Sequence, residues 1–111
     1  MRRGEIYYAD LNPTVGSEIN KRRSVLVVSN DANNRAASTV TVLPITSNTS
    51  RVYPFEILLS PKESGLPKQS KAQAQQIRTI SKERLRGGPV GRLNATLMRK
   101  AEDAMRLHLD I

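Results

Sequence analysis

The stretch RRSVLVVSND, residues 22–31, decides the fold. Its inner part, SVLVVS (24–29), is apolar at consecutive positions, so both faces are buried and the segment is a central strand. Upstream, EIYYAD (5–10) is a short run of β-formers. Downstream, TVTVLPI (39–45) is β-branched and alternating. YPFEILLS (53–60) is a further strand with Phe55, Ile57 and Leu59 on one face, and Pro54 suits an edge or a strand start. KAQAQQIRTI (71–80) reads as a strand of small and polar residues. Ile77 and Ile80 face opposite ways in it unless a bulge intervenes. The segments 11–23, 46–52 and 61–70 read as loops and 30–38 as a polar turn, while Gly87, Gly88 and Pro89 break the turn-rich 81–93. The last segment, 94–111, is a helix with Asn94 as its N-cap. Its apolar stripe runs through Leu97, Ala101, Met105 and His108 or Leu109. Five short strands with no helix between them must be antiparallel or close to it. The expected fold is mostly β (α+β): a small, strongly bent sheet or partial barrel capped by one helix.

A chain of 111 residues is expected to form one domain, spanning 1–111. No run of 18 or more apolar residues is present to cross a membrane. The start, MRRGEIYYAD, has cations but no apolar core, so no signal peptide is expected. The absence of Cys removes disulfides and thiolate metal sites and fits a cytoplasmic protein. Lys and Arg number 18 against 10 Asp and Glu, a formal charge of +8. A surplus of that size points to nucleic acid or to an acidic protein partner.

Several chemistries lack their residues. The single histidine, His108, sits on the last helix, so a two-histidine ribonuclease mechanism is excluded. No Ser or Cys stands beside a His for acyl transfer. The acids are scattered, and Glu102–Asp103 reads as a solvated helix face, so neither metal nor cofactor is expected. GGPVG (87–91) lacks the Lys-Ser/Thr pair of a phosphate loop. What remains is Arg, Lys, Thr, Ser, Gln and Glu. That set suits RNA, which carries its own nucleophile in the 2′-hydroxyl, so that alignment and a cation on the phosphorane do most of the work. Arginine fits the second task, because its planar fork grips two phosphate oxygens and keeps its charge.

Five segments in order, RGEIYYADLNPTVGSE (3–18), RRSVLVVSND (22–31), VLPITSN (42–48), YPFEI (53–57) and QIRTI (76–80), resemble the MazF/PemK/Kid toxin family. The resemblance implies an SH3-like small barrel of about five to seven strands with a C-terminal helix, acting as a homodimer. It implies a sequence-specific endoribonuclease that cuts single-stranded mRNA without metal, leaving a 2′,3′-cyclic phosphate and a 5′-hydroxyl. The family's essential Arg and Thr match Arg23 and Thr46, its acid matches Glu18, and its Gln matches Gln76. Ser17, Lys21, Arg22, Ser47, Asn48 and Arg78 are the further RNA-binding candidates. Alternation along a strand keeps Lys21, Arg22 and Arg23 from all facing one groove. Arg23 is the one assigned to the phosphorane, with Lys21 and Arg22 supplying a phosphate field. Thr46 is read as a bond to the scissile phosphate or as a turn cap, and Glu18 as a base or a holder of Arg23. The family usually has Pro after the essential Arg, where this chain has Ser24, which leaves Arg23 less pre-organised. The implied partner is a cognate antitoxin whose disordered acidic tail orders on binding. The helix with Met98 and Met105 is a candidate contact for it or for the dimer. Two other readings are a gyrase-inhibiting toxin of the same barrel, against which the absence of Trp counts, and a noncatalytic RNA-binding barrel.

Overall fold

The computed structural model describes residues 1–13, 15–18 and 22–111. Its strands are β1 (Glu5–Asp10), β2 (Arg22–Val27), β3 (Thr39–Thr46), β4 (Glu56–Leu59), β5 (Ser70–Gln73), β6 (Arg78–Ser81) and β7 (Leu85–Arg92). Its helices are α1 (Asp31–Ala36), α2 (Pro61–Ser64) and α3 (Ala95–Leu109). The strands form one antiparallel sheet in the order β4-β5-β3-β2-β1-β7, with β6 also paired to β3. The mostly β, barrel-like sheet with a C-terminal helix is the expected architecture.

The consecutive apolar run of β2 is buried on both sides because two clusters flank the sheet. Leu26 and Val28 join Ile6, Leu43, Ile45, Leu59 and the α3 residues Leu97, Met98, Ala101 and Ala104. Val25 and Val27 join Tyr7, Ala9, Leu11, Val40, Val42 and Ile80 on the other side. Fully burying one such aliphatic side chain stabilises the fold by about 1.5–3 kcal/mol. The two clusters therefore dominate over any surface pair.

Several expectations need correction. Segment 30–38 is not a plain turn but holds α1. Asn30 caps it by accepting from the Asn33 amide at 2.8 Å, and Asn34 is buried because its amide bonds the Ser29 carbonyl at 2.9 Å. Capping without an apolar stripe leaves no periodicity to read. Segment 61–70 likewise contains α2, closed by a Ser60–Glu63 capping box and by Gly65 in the left-handed conformation. Segment 71–80 is two strands separated by a 3₁₀ turn, Ala74–Gln76. Ile77 consequently packs on the first cluster and Ile80 in the second.

Segment 81–93 is the fourth correction, because Leu85–Arg92 is a strand. Its pairing with β1 shifts between Ile6↔Gly91 and Tyr8↔Arg86, so Gly87, Gly88 and Pro89 lie in a bulge rather than at a strand end. Gly87 takes φ 67° there, and Pro89 is tolerated because β7 is an edge. On α3 the core stripe is Leu97, Met98, Ala101 and Ala104, with Met105 half-buried; His108 and Leu109 are exposed. Met98 and Met105 thus pack on their own barrel.

Candidate active site

The site grows from strand register. Ala9 pairs with Arg23, Ser24 with Ile45, and Thr46 with Lys71. One step beyond Ser24↔Ile45, the same register sets Arg23 opposite Thr46. A single row at one end of the sheet therefore reads Ala9, Arg23, Thr46, Lys71. Two-residue alternation places Arg23 on the side of Val25 and Val27, and Thr46 on the side of Val40 and Val42. Arg23 and Thr46 are neighbours on one face, projecting past the second cluster at the rim.

Arg22 departs from the opposite face. Its guanidinium carbon lies 5.3 Å from the Tyr8 ring centroid, a cation–π arrangement. Alternation puts Arg22 and Arg23 on opposite faces of the strand, and Lys21 lies outside the described residues. Both arginines nonetheless contribute to one groove across the strand ends, with Tyr8, Ser24, Ser47, Lys68 and Ser70 in its wall. At about 190 Å³ and open to solvent, it is smaller than an enclosed small-molecule pocket and suits a segment of an extended polymer. Tyr8, Lys68 and Ser70 were not legible as site residues. Lys68 sits in a stretch read as loop, and only the fold of Leu66–Ser70 against β2 brings it near the arginines. Thr46, Glu18 and Gln76 are not part of this groove.

The loop after β1 is clasped from below. Gln76 donates its amide to the Ser17 carbonyl at 3.4 Å, Arg78 donates to the Leu11 carbonyl at 3.4 Å, and Arg84 donates to the carbonyls of Asp10, at 3.1 Å, and Asn12. Two of the bonds are long, so each is weak and the clasp works through their number. Gln76 and Arg78, read as RNA contacts, here hold the loop that carries Ser17 and Glu18. The Glu18 carboxylate accepts from the Val15 amide at 2.6 Å, a bond that closes its own turn. Thr46 Oγ1 accepts from the Asn48 amide at 3.2 Å, the turn-cap use, which leaves its proton available to donate. Asn48 accepts from the Ser50 amide at 3.3 Å and its hydroxyl at 2.9 Å. Ser47, exposed between them, faces the groove.

Beside Thr46 lies a buried charged knot. Lys71 and Glu56 form an ion pair at 3.0 Å, with side chains 10% and 0% exposed. Burial pushes the Glu56 carboxyl up, but donors from the Tyr53 amide, Gln75, Lys71 and Gln73 outweigh it and hold the group below its ordinary value. Near it, Tyr53 and Phe55 stack with centroids 5.1 Å apart and Arg51 lies over Tyr53. These two aromatics belong to the turn before β4 and not, as expected, to a strand. Among the described residues, no group of three or more His, Asp or Glu is placed to hold a metal ion. None of the described helices is long and apolar enough to cross a membrane.

The fold and site define a small basic barrel whose rim gathers arginines, hydroxyls and a loop clasped by Gln76, Arg78 and Arg84. The chain belongs to the PemK-like, MazF-like toxins of type II toxin–antitoxin systems, whose family model matches residues 2–109. It is 48% identical to endoribonuclease MazF9 of Mycobacterium tuberculosis, covering 100% of this chain and 98% of the relative. It is 36% identical to endoribonuclease EndoA of Bacillus subtilis, covering 98% and 94%. Among solved structures, a mycobacterial endoribonuclease bound to its cognate antitoxin matches with a TM-score of 0.81 at 27% identity, covering 100% of this chain and 96% of that one. MazF of Deinococcus radiodurans matches in fold with a TM-score of 0.86 at 23% identity, covering 100% and 97%.

Proposed function

We propose that this endoribonuclease cuts single-stranded RNA at short sequence motifs, without metal, leaving a 2′,3′-cyclic phosphate and a 5′-hydroxyl. The observation that carries the reading is the register that sets Arg23, which lines the cationic groove, beside Thr46 on one face of the sheet. The substrate's own 2′-oxygen attacks the adjacent phosphorus, and the bond to the 5′-oxygen breaks. The Arg23 guanidinium carries the charge of the phosphorane, and the Thr46 hydroxyl donates to a phosphate oxygen. The 2′-proton leaves to a base, for which Glu18 on the clasped loop is the candidate, and the 5′-oxygen takes a proton as it departs. Arg22 and Lys68 hold the flanking backbone, and Ser47, Asn48 and Gln76 border the bases.

The endoribonuclease relatives and the antitoxin-bound neighbour support this reading. The antitoxin-bound neighbour supports a cognate antitoxin as partner, read here as one whose acidic flexible tail competes for the same cationic rim. The working form is a homodimer in the cytoplasm, where mRNA is met. The test is cleavage of a long single-stranded RNA in EDTA, with the ends mapped. Discrete cuts with cyclic 3′ ends, slowed about 10²–10³-fold by Arg23→Ala and less by Thr46→Ala, are expected. Loss of cutting in EDTA that added Mg²⁺ restores would overturn the metal-free part, and cutting unchanged in Arg23→Ala would overturn its role.

A further inference from the structure

Lys71 stands next in the row after Arg23 and Thr46, yet its charge does not reach the groove. The ammonium is turned inward, donating to the Arg51 carbonyl at 2.6 Å and to Glu56 Oε1 at 3.0 Å. Its backbone is paired with Thr46, where the strand ends, and its side chain bonds Arg51. One residue therefore closes both ends of the segment 47–51, which carries Ser47 and Asn48. Glu56 extends the bracket. It accepts from the Tyr53 amide at 2.9 Å, just past that segment, and from Gln75 at 2.6 Å in the 3₁₀ turn that also carries Gln76. The buried charge pair thus ties the loop after Thr46 to the turn that clasps the Ser17 loop.

We propose that the Lys71–Glu56 pair is a positioning device that sets the shape of residues 47–51 and so selects which bases fit beside Thr46. This rests on the ribonuclease reading and names the part of the site that governs its sequence preference. Stability alone is a poor account of the pair, because a buried ion pair is commonly replaceable by apolar residues without loss. What an apolar pair cannot supply is the set of bonds to two backbone groups of the loop. The charges work as fasteners, and neither touches RNA.

The experiment compares wild type, Lys71→Met and Lys71→Arg as full chains. Two readouts are taken: sequenced cut sites in a random single-stranded RNA pool, and hydrogen exchange of the 47–51 amides. Lys71→Met is expected to keep its affinity for the pool and lose preference among motifs. Its 47–51 amides should exchange about tenfold faster or more, as one lost charge-assisted hydrogen bond implies. Lys71→Arg, which keeps a donor and the charge, should recover part of both. If Lys71→Met does not fold, the Lys71→Met/Glu56→Gln double variant, which leaves no unpaired buried charge, takes its place with the same two readouts. A folded variant that cuts with the wild-type motif profile and unchanged exchange overturns the proposal. So does one that merely melts earlier with its profile intact. Wild type that leaves all RNA intact overturns the ribonuclease reading instead, and is told apart because it concerns no variant.

Discussion

At the scale of single residues, the rim separates cations by what their charge touches. Arg23 lines the groove, Arg22 lies on Tyr8, and Lys71 is spent inside the fold. Arg23→Lys keeps a positive charge but loses the planar fork, so cleavage should fall by about tenfold or more while RNA binding holds, as single-turnover kinetics beside a binding isotherm would show. Glu56 gives a pH prediction. Its folded value lies below the ordinary 4.5, so its stabilisation is present in full above that value. It is lost as pH falls through the lower folded value. Asp31, held low first by the Arg3 amide, and Glu63, held low first by the Ser60 amide, act in the same direction. Thermal melts should be flat near neutrality and fall below about pH 4.5, and Glu56→Gln should start lower with a shallower acid decline. Alternation made the Arg22/Arg23 division legible from the sequence. The inward turn of Lys71 was not, because a cation in a polar strand looks the same whether it meets a phosphate or a buried carboxylate.

Elements were legible wherever burial wrote a period into the chain. β1, the core of β2 and α3 stand where apolar spacing put them, and α3 starts on its Asn94 cap, which accepts from the Leu97 amide at 2.9 Å. Asn94→Ala should cost about 1 kcal/mol in urea unfolding. β7 was not legible because its bulge residues are the usual strand breakers and its β1 partners are 76 to 87 residues away in sequence. Its place is fixed instead by a close backbone approach to α2. A Cβ on Gly91 would lie 2.0 Å from the Ser64 carbonyl oxygen, and one on Gly65, at φ 79°, would lie 2.2 Å from the Val90 carbonyl oxygen. Gly91→Ala and Gly65→Ala should each destabilise the fold by roughly 2 kcal/mol or more, since backbone must move. Gly88→Ala, with open space around it, should stay within about 0.5 kcal/mol in the same urea titration.

For the whole molecule, composition gives a charge but not the place where it gathers. The surplus of +8 is spread over the barrel, and only strand register concentrates part of it beside Thr46. RNA affinity should fall steeply with salt, and Arg22→Gln should reduce the log–log slope by about 0.7, the share of one phosphate on a single strand, in fluorescence anisotropy. The pairing of β1 with β7 has a consequence in time. A ribosome makes β1 first among the strands and its outer partner β7 last, and Arg3 of the N-terminal segment meets Glu102 of α3 at 3.0 Å. At roughly 5–20 residues per second, one side of β1 stays open for several seconds while Arg23 and Thr46 have already emerged. The nascent toxin carries both side chains long before the sheet that sets them side by side can close. A cell translating it meets the finished enzyme only at the end of synthesis.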